Sequence, residues 1–239
     1  MFPKQGKTES SIARAATRPL SNAWIYWILA TAIGHVAGVS AFGILVLFVD
    51  LGAASGGSLL DTVVFAVLGL LDGLLVGVAQ GLVLQYFTGQ KLLGEWVLFT
   101  ALGGIAAWVL GPIMGALAVP IVDFLVYMVA GGVAGALFGF SQRPTVQRRL
   151  DPGTGWVPAN LVAGALAVTF AVFFSSLWTG TAGAGTIEVQ AILLTVGVGG
   201  LIYGAVTART VALMLDAYRT QSELGDSLPG EDLSKIPVR

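Results

Sequence analysis

The sequence has no cysteine and one histidine, and each scarcity excludes a class of site. Without cysteine the chain has no disulfide scaffold, no thiolate metal site and no cysteine nucleophile. His35 is the only histidine, so no histidine cluster is available to bind a metal. Charged residues make up 10% of the chain, where a soluble domain carries roughly 25%. A formal net charge of −1 also argues against nucleic acid as a partner.

What the sequence does contain is apolar. Hydrophobic residues make up 56% of the chain, and 33 of its 239 residues are glycine. This composition is typical of an integral membrane protein. The apolar runs predict an all-α protein with six transmembrane helices, at about 23–49, 62–87, 96–140 (two helices), 156–178 and 187–215.

The third and fourth helices come from one run, 96–140, in which Asp123 is the only charged residue. A helix rises 1.5 Å per residue and the hydrocarbon core is ~30 Å thick, so this run is too long for one span. Pro120 and Asp123 predict the turn between the two helices, because proline ends a helix and a carboxylate prefers the membrane interface. Loops are predicted at 52–58 and 179–186.

The chain divides into three parts. Residues 1–21 are polar and basic, with no apolar run of signal-peptide length, and predict a cytoplasmic segment. Residues 22–215 form the predicted transmembrane domain. Residues 216–239 are rich in charge, glycine, serine and proline, and predict a flexible cytoplasmic tail.

The charges predict an orientation. All twelve lysines and arginines fall on one side of the six-helix arrangement, before the first helix, in the second and fourth loops, or at and beyond the end of the sixth. The opposite side carries only acids: Asp50, Asp61, Asp123 and Glu188. The positive-inside rule therefore predicts cytoplasmic termini, in a protein of the bacterial inner membrane. An aromatic belt is predicted at the basic side from Trp24, Trp27, Trp96 and Trp156.

An internal repeat organises the spans. A tryptophan is followed four residues later by a small polar residue in the pairs Trp27–Thr31, Trp96–Thr100 and Trp156–Asn160. The intervening spans share the spacing of Gly73, Gly77 and Gln80, of Gly135, Gly139 and Gln142, and of Gly200, Gly204 and Thr207. These matches predict three repeated helical hairpins, at about 22–87, 95–142 and 156–215, around an axis along the membrane normal.

Glycines at four-residue spacing predict close helix packing. Lipid tails are as apolar as leucine, so membrane helices associate through backbone contact that small residues permit. The predicted packing residues are Gly34, Gly38, Gly73, Gly77, Gly111, Gly115, Gly135, Gly139, Gly200 and Gly204.

Six polar residues lie roughly one and a half to two turns inside the predicted cytoplasmic interface: Thr31, Gln80, Thr100, Gln142, Asn160 and Thr207. Polar groups at that depth need partners, and interhelical hydrogen bonds would contribute about 0.6–2 kcal/mol each. Two interpretations remain open for this polar ring. It either joins the helices or lines a vestibule that opens to the cytoplasm.

His35 and Asp72 are the ionisable residues predicted deepest in the membrane. From the same interface, helix geometry puts His35 about 16 Å and Asp72 about 22 Å deep, on adjacent helices. A charged aspartate there is costly, so Asp72 should be paired with His35 or protonated and hydrogen-bonded. The pair is a candidate functional site, although a structural role is also open. No cofactor is predicted overall, but a neutral His35 would suit the metal of a tetrapyrrole.

The sequence contains little that resembles the catalytic motif of an enzyme. Ser40 lies in a glycine-flanked segment that faintly resembles that of intramembrane serine proteases, but those need a histidine on another helix. Here His35 is five residues from Ser40 on the same helix, and therefore on a different face. The sequence also has no phosphate-binding loop and no zinc-binding motif, which predicts a non-enzymatic protein.

Two functions follow as hypotheses. The first is an accessory or assembly subunit of a membrane complex, whose partners are the lipid bilayer and other membrane subunits. The alternative is a small-solute or proton-linked transporter that uses His35 and Asp72. The substrate-capture subunits of modular importers offer an analogy in topology alone, with six spans and both ends inside.

Overall fold

A computed structural model describes residues 19–48, 59–117, 123–150, 155–179 and 188–227. These residues form one 3-10 turn, Leu20–Asn22, and six α-helices. The helices are α1 (Ala23–Phe48), α2 (Leu59–Thr88), α3 (Leu93–Leu117), α4 (Asp123–Arg149), α5 (Trp156–Thr179) and α6 (Glu188–Ser227). The predicted loop at 52–58, most of that at 179–186 and the turn at Pro120 lie outside the described residues.

All six helices are long and apolar enough to cross a membrane, which confirms the prediction of an all-α protein with six helices of that kind. Their outer surfaces carry large exposed apolar side chains, among them Ile33, Leu98 and Leu213. Such a surface suits contact with lipid. The architecture is consistent with a multi-pass membrane protein.

The helices form a closed ring. Each packs against the helix before and the helix after it in sequence, and α6 returns to pack against α1. The contacts of α2 with α3, of α4 with α5 and of α6 with α1 are more extensive than those of the other neighbouring pairs.

Glycines lie at these more extensive contacts. A Cβ atom added to any of three glycines would fall close to the backbone of the residue that follows a tryptophan on the facing helix. The distances from such a Cβ to the facing Cα are 2.9 Å for Gly77–Val97, 3.1 Å for Gly139–Val157 and 2.8 Å for Gly204–Ile28. Larger residues would force the helices apart there, since protein interiors have little spare volume. Gly111 and Gly115 lie on α3, but their surroundings fall outside the described residues.

Two helices are longer than the sequence predicts. α4 continues beyond Gln142 to Arg149, with Pro144 inside it, and α6 continues to Ser227. Residues 216–227, predicted as part of a flexible tail, are therefore helical. Packing explains the extension of α6, because Leu215 is buried and the hydroxyl of Tyr218 donates a hydrogen bond to the carbonyl of Thr88 at 3.4 Å.

Candidate functional site

Three tryptophans meet at one end of the ring. Trp27, Trp96 and Trp156 are 0%, 0% and 2% exposed. Their ring centroids lie 6.1, 6.0 and 5.8 Å apart, in edge-on and tilted contacts that are favourable for aromatic pairs. We call this end of the bundle the tryptophan end. The prediction that these three residues form an interfacial belt is wrong, whereas Trp24, at 49% exposed, does lie on the surface.

The six residues of the polar ring surround this cluster, and none is more than 2% exposed. The amide nitrogen Nε2 of Gln80 donates to Oγ1 of Thr31 at 2.9 Å, across α2 and α1. In the same way, Nε2 of Gln142 donates to Oγ1 of Thr100 at 2.8 Å, across α4 and α3. Such burial favours the interpretation that these residues join the helices.

The polar ring also holds the tryptophans in place. The indole nitrogen of Trp27 donates to Oγ1 of Thr207 at 2.9 Å, which links α1 to α6. The hydroxyl of Thr31 donates to the carbonyl of Trp27 at 2.9 Å, as that of Thr100 does to Trp96 at 2.7 Å. The tryptophan end is thus filled by aromatic rings with hydrogen-bonded polar groups around them.

The other end of the bundle encloses a cavity of about 380 Å³. All six helices contribute to its lining, and none of the six polar-ring residues does. Most of the wall is alanine, glycine, valine and aromatic side chains. This volume and apolar wall are typical of sites for small organic ligands. We call this half of the bundle the cavity end.

His35 and Asp72 meet in the wall of this cavity. Nδ1 of His35 lies 2.9 Å from Oδ1 and 3.1 Å from Oδ2 of Asp72, so α1 and α2 bring the two side chains into direct contact. The carboxylate accepts a further hydrogen bond from the indole nitrogen of Trp108 on α3, at 3.0 Å. Asp72 is 1% exposed. Buried carboxylates need such partners, because an isolated charge away from water is strongly destabilised.

A glycine makes room for this contact. A Cβ atom on Gly38 would lie 2.9 Å from Oδ1 of Asp72 and closer still to its Cα. One turn earlier, a Cβ on Gly34 would lie 2.6 Å from the Cα of Val76. The pair Gly34 and Gly38, predicted from spacing alone as packing residues, lies at the contact that brings α1 against Asp72.

Two aromatic residues with polar groups, Tyr203 and Trp108, also line the cavity. Tyr203 lies edge-on to His35, with ring centroids 6.1 Å apart, and it also contacts Phe138 at 6.4 Å. Its hydroxyl donates to Oδ1 of Asn160, so Tyr203 connects the cavity to the polar ring. Sequence reasoning missed both Tyr203 and Trp108. Signals existed: Tyr203 is four residues before Thr207, hence on the same face, and an indole N–H within an apolar helix needs an acceptor.

The chemistry available at the site is that of one carboxylate and one imidazole. Among the described residues that line the cavity, none is lysine or arginine. Nδ1 of His35 is the nitrogen that contacts Asp72, which leaves Nε2 for any further ligand. Among the described residues, no group of three or more histidine, cysteine, aspartate and glutamate residues could hold a metal ion.

Ser40 does not join this site. Its hydroxyl donates to the carbonyl of Val36 on its own helix, at 2.7 Å.

A comparison of the chain with known protein families, with curated proteins and with solved structures finds no match in any of the three.

Proposed function

We propose that this protein is a non-enzymatic, multi-pass protein of the bacterial inner membrane that binds a small solute in its six-helix cavity. The observation that carries the proposal is the position of Asp72. This carboxylate is buried in the cavity wall, where His35 and Trp108 hold it. An ionisable residue inside a membrane domain is a functional hypothesis by default, because a purely structural contact does not require its desolvation.

The orientation is part of the proposal. The tryptophan end faces the cytoplasm and the cavity end faces outward, because every lysine and arginine of the sequence lies on the tryptophan side of the spans. Reporter fusions test this directly. Fusions after residues 55, 120 and 183 should report an external location, and those near 90, 150 and 235 an internal one. One reversed reporter would contradict the arrangement.

We also propose that the ring is built from three repeated hairpins, with glycines as packing residues. The corresponding glycines Gly77, Gly139 and Gly204 each face the residue after a tryptophan, at nearly the same distance. The corresponding amides of Gln80 and Gln142 each donate to a residue four positions after a tryptophan. Equal contacts at equal sequence positions support a triplicated unit.

Identification of the bound solute tests the proposal of a binding cavity. The protein is purified gently in detergent and examined by native mass spectrometry for a bound small molecule, and by thermal shift against amines, carboxylic acids and uncharged solutes. Ala134→Trp fills the cavity, whereas Ala205→Trp adds the same side chain to an exposed position of α6.

We expect a bound solute or a solute-dependent rise in melting temperature in the wild type and in Ala205→Trp, and neither in Ala134→Trp. A wild-type protein that carries no small molecule and that no solute class stabilises would contradict the proposal. Equal behaviour of Ala134→Trp and Ala205→Trp would also contradict it.

An accessory role in a membrane complex is a second candidate, and one observation favours it. α6 has 40 residues, about 60 Å at the helical rise, which is about twice the thickness of the hydrocarbon core. Its last part, from Thr220, therefore extends beyond the tryptophan end and offers a surface to another subunit. Copurifying protein that is lost when the chain is truncated after residue 219 would support this role, and its retention after truncation would contradict it.

A further inference from the structure

We propose that the cavity binds an organic cation, an amine or quaternary ammonium with an apolar body, and that Asp72 is its counter-charge. This inference rests on the proposed function, since it names the ligand class of the same cavity. It goes beyond that function because an apolar cavity alone would accept neutral or anionic solutes equally well.

The charges of the lining select the sign of the ligand. The titratable lining residues are Asp72, His35, Tyr127 and Tyr203. When His35 is neutral, its Nδ1–H donates to the carboxylate and the site has one net negative charge. With no lysine or arginine in the lining, an anionic ligand finds no counter-charge, whereas a cation finds a carboxylate already held in place.

The walls suit the apolar and cationic parts of such a ligand. Five aromatic side chains line the cavity: Phe65, Trp108, Tyr127, Phe138 and Tyr203. The negative face of an aromatic ring attracts a cation, and the attraction is strongest where water is excluded. Aromatic walls beside a carboxylate are the combination that recognises alkylated ammonium groups.

The distribution of acids and bases along the helices favours the approach of cations. In the sequence, acids and no lysine or arginine stand near the starts of α2, α4 and α6: Asp61, Asp123 and Glu188. The described lysines and arginines all lie toward the tryptophan end. An excess of acids over bases at one end of a bundle raises the local concentration of cations there.

Protons and the ligand then compete for the same charge. An imidazolium at His35 neutralises Asp72 and removes the attraction for a cation. Among the described residues, the titratable groups that face the carboxylate are His35 from α1 and Tyr203 from α6, and α3 presents the uncharged indole of Trp108. Bound cation should therefore exchange for a proton, which is the arrangement that a proton-coupled carrier of amines requires.

The test uses the full chain in detergent with radiolabelled benzyltrimethylammonium as the probe. The competitor is neopentylbenzene, the uncharged isostere in which carbon replaces nitrogen. We expect saturable binding of the probe that weakens as the pH is lowered and His35 gains its proton. An excess of neopentylbenzene should not displace it. These wild-type measurements do not depend on the folding of any variant.

Two variants assign the charge. Asp72→Asn should weaken binding of the probe by at least about tenfold, because it removes the counter-charge from a site of low dielectric constant. Asp216→Asn is the matched control, an exposed acid at the other end of α6, and should bind as the wild type does. His35→Gln should remove most of the pH dependence from whatever binding of the probe it keeps, because it removes the group that competes as an imidazolium for Asp72.

Displacement by the isostere, unchanged binding in Asp72→Asn, or no binding of the cation at any pH would overturn the inference. The proposed function survives each of these results if the cavity-filling variant Ala134→Trp still abolishes binding of another solute. If the cation binds equally well to Ala134→Trp, it binds outside the cavity and the inference is also overturned.

Discussion

At the tryptophan end the three proposed hairpins contribute the same kinds of residue to the same contacts, whereas at the cavity end corresponding positions differ. Eight residues after the opening tryptophan stand His35, Gly104 and Gly164. On the second helix of each hairpin, the residue just before the repeated glycine (Gly73, Gly135 or Gly200) is Asp72, Ala134 or Gly199. The first hairpin thus carries both ionisable residues, and the other two carry small ones.

This difference explains how a closed ring can contain a site. Five of those six positions line the cavity, with Gly104 packed against Gly69 instead. Small residues in the second and third hairpins leave the volume into which the imidazole and the carboxylate of the first hairpin face. Where the three hairpins carry similar residues, the end of the bundle is filled. Where they carry different residues, a cavity remains, with the ionisable side chains of the first hairpin in its wall.

The largest expected effect contrasts a tryptophan from each end. Trp96→Ala should lower the free energy of unfolding by roughly 3–5 kcal/mol, as for a fully buried aromatic residue, because it leaves a void against Trp27 and Trp156. Trp108→Ala should lower it by less, since Trp108 already borders a cavity. Thermal unfolding in detergent measures both losses.

Trp24→Ala is the control for the loss of an indole, because Trp24 is on the surface. We expect a change within about 0.5 kcal/mol, as for most surface substitutions. If Trp108→Ala destabilises the protein as much as Trp96→Ala does, then the cavity end contributes as much packing as the tryptophan end and the contrast between them fails.

The parts of the molecule that were predictable are those that a pattern along one helix encodes. The six helices follow from apolar run length, and the meeting of His35 with Asp72 follows from their similar depth on adjacent helices. The interior position of the tryptophans was also available, since Trp27 shares a face with Thr31, and a polar residue in a membrane helix faces its neighbours. The depth of the tryptophans alone predicted a belt that faces lipid, whereas three of the four face the interior of the bundle.

The cavity was not predictable in the same way. Its volume depends on the separation of six helices, which no single helix encodes, and abundant glycine predicted tight packing throughout. Gly199 and Gly200 both line the cavity, yet a Cβ on Gly200 would lie 2.8 Å from the Cα of Ala32, whereas the nearest atom to a Cβ on Gly199 is the carbonyl oxygen of Ala167 at 3.7 Å. The two residues are adjacent in sequence but face different surroundings, and only the assembled ring distinguishes them.

An intermediate effect compares glycines at the two ends of the bundle. Gly204→Ala should cost roughly 1–3 kcal/mol, as overpacking does elsewhere, because the new methyl group would lie 2.8 Å from the Cα of Ile28. Gly77→Ala should cost about the same, since its methyl group would lie 2.9 Å from the Cα of Val97. Similar losses of melting temperature would support equivalent positions in the proposed repeat.

Gly199→Ala is the matched substitution at the cavity end of α6. Its methyl group would have no neighbour nearer than 3.7 Å, the carbonyl oxygen of Ala167. Alanine is the better helix former by up to about 1 kcal/mol, so this variant should be unchanged or slightly stabilised. A loss equal to that of Gly204→Ala would mean that the cavity end is as tightly packed as the tryptophan end.

The smallest effect tests how equal the three copies are at the tryptophan end itself. The indole nitrogen of Trp27 donates to Thr207, but that of Trp156 has no hydrogen-bond partner among the described residues. Trp27→Phe should therefore destabilise the protein by about 1 kcal/mol more than Trp156→Phe, the difference being one hydrogen bond. Thr207→Val, alone and combined with Trp27→Phe, completes a double-mutant cycle whose coupling energy should equal that difference.

Equal losses in Trp27→Phe and Trp156→Phe would show that Trp156 has a partner of its own, such as a bound water. The buried oxygen Oε1 of Gln142 also has no partner among the described residues. The tryptophan end would then be equal in its hydrogen bonds as well as its packing. The copies would then still differ at the tryptophan end in the residues Asn160 and Thr207, but their tryptophans would be held alike, in contrast to the cavity end with its single ionisable pair.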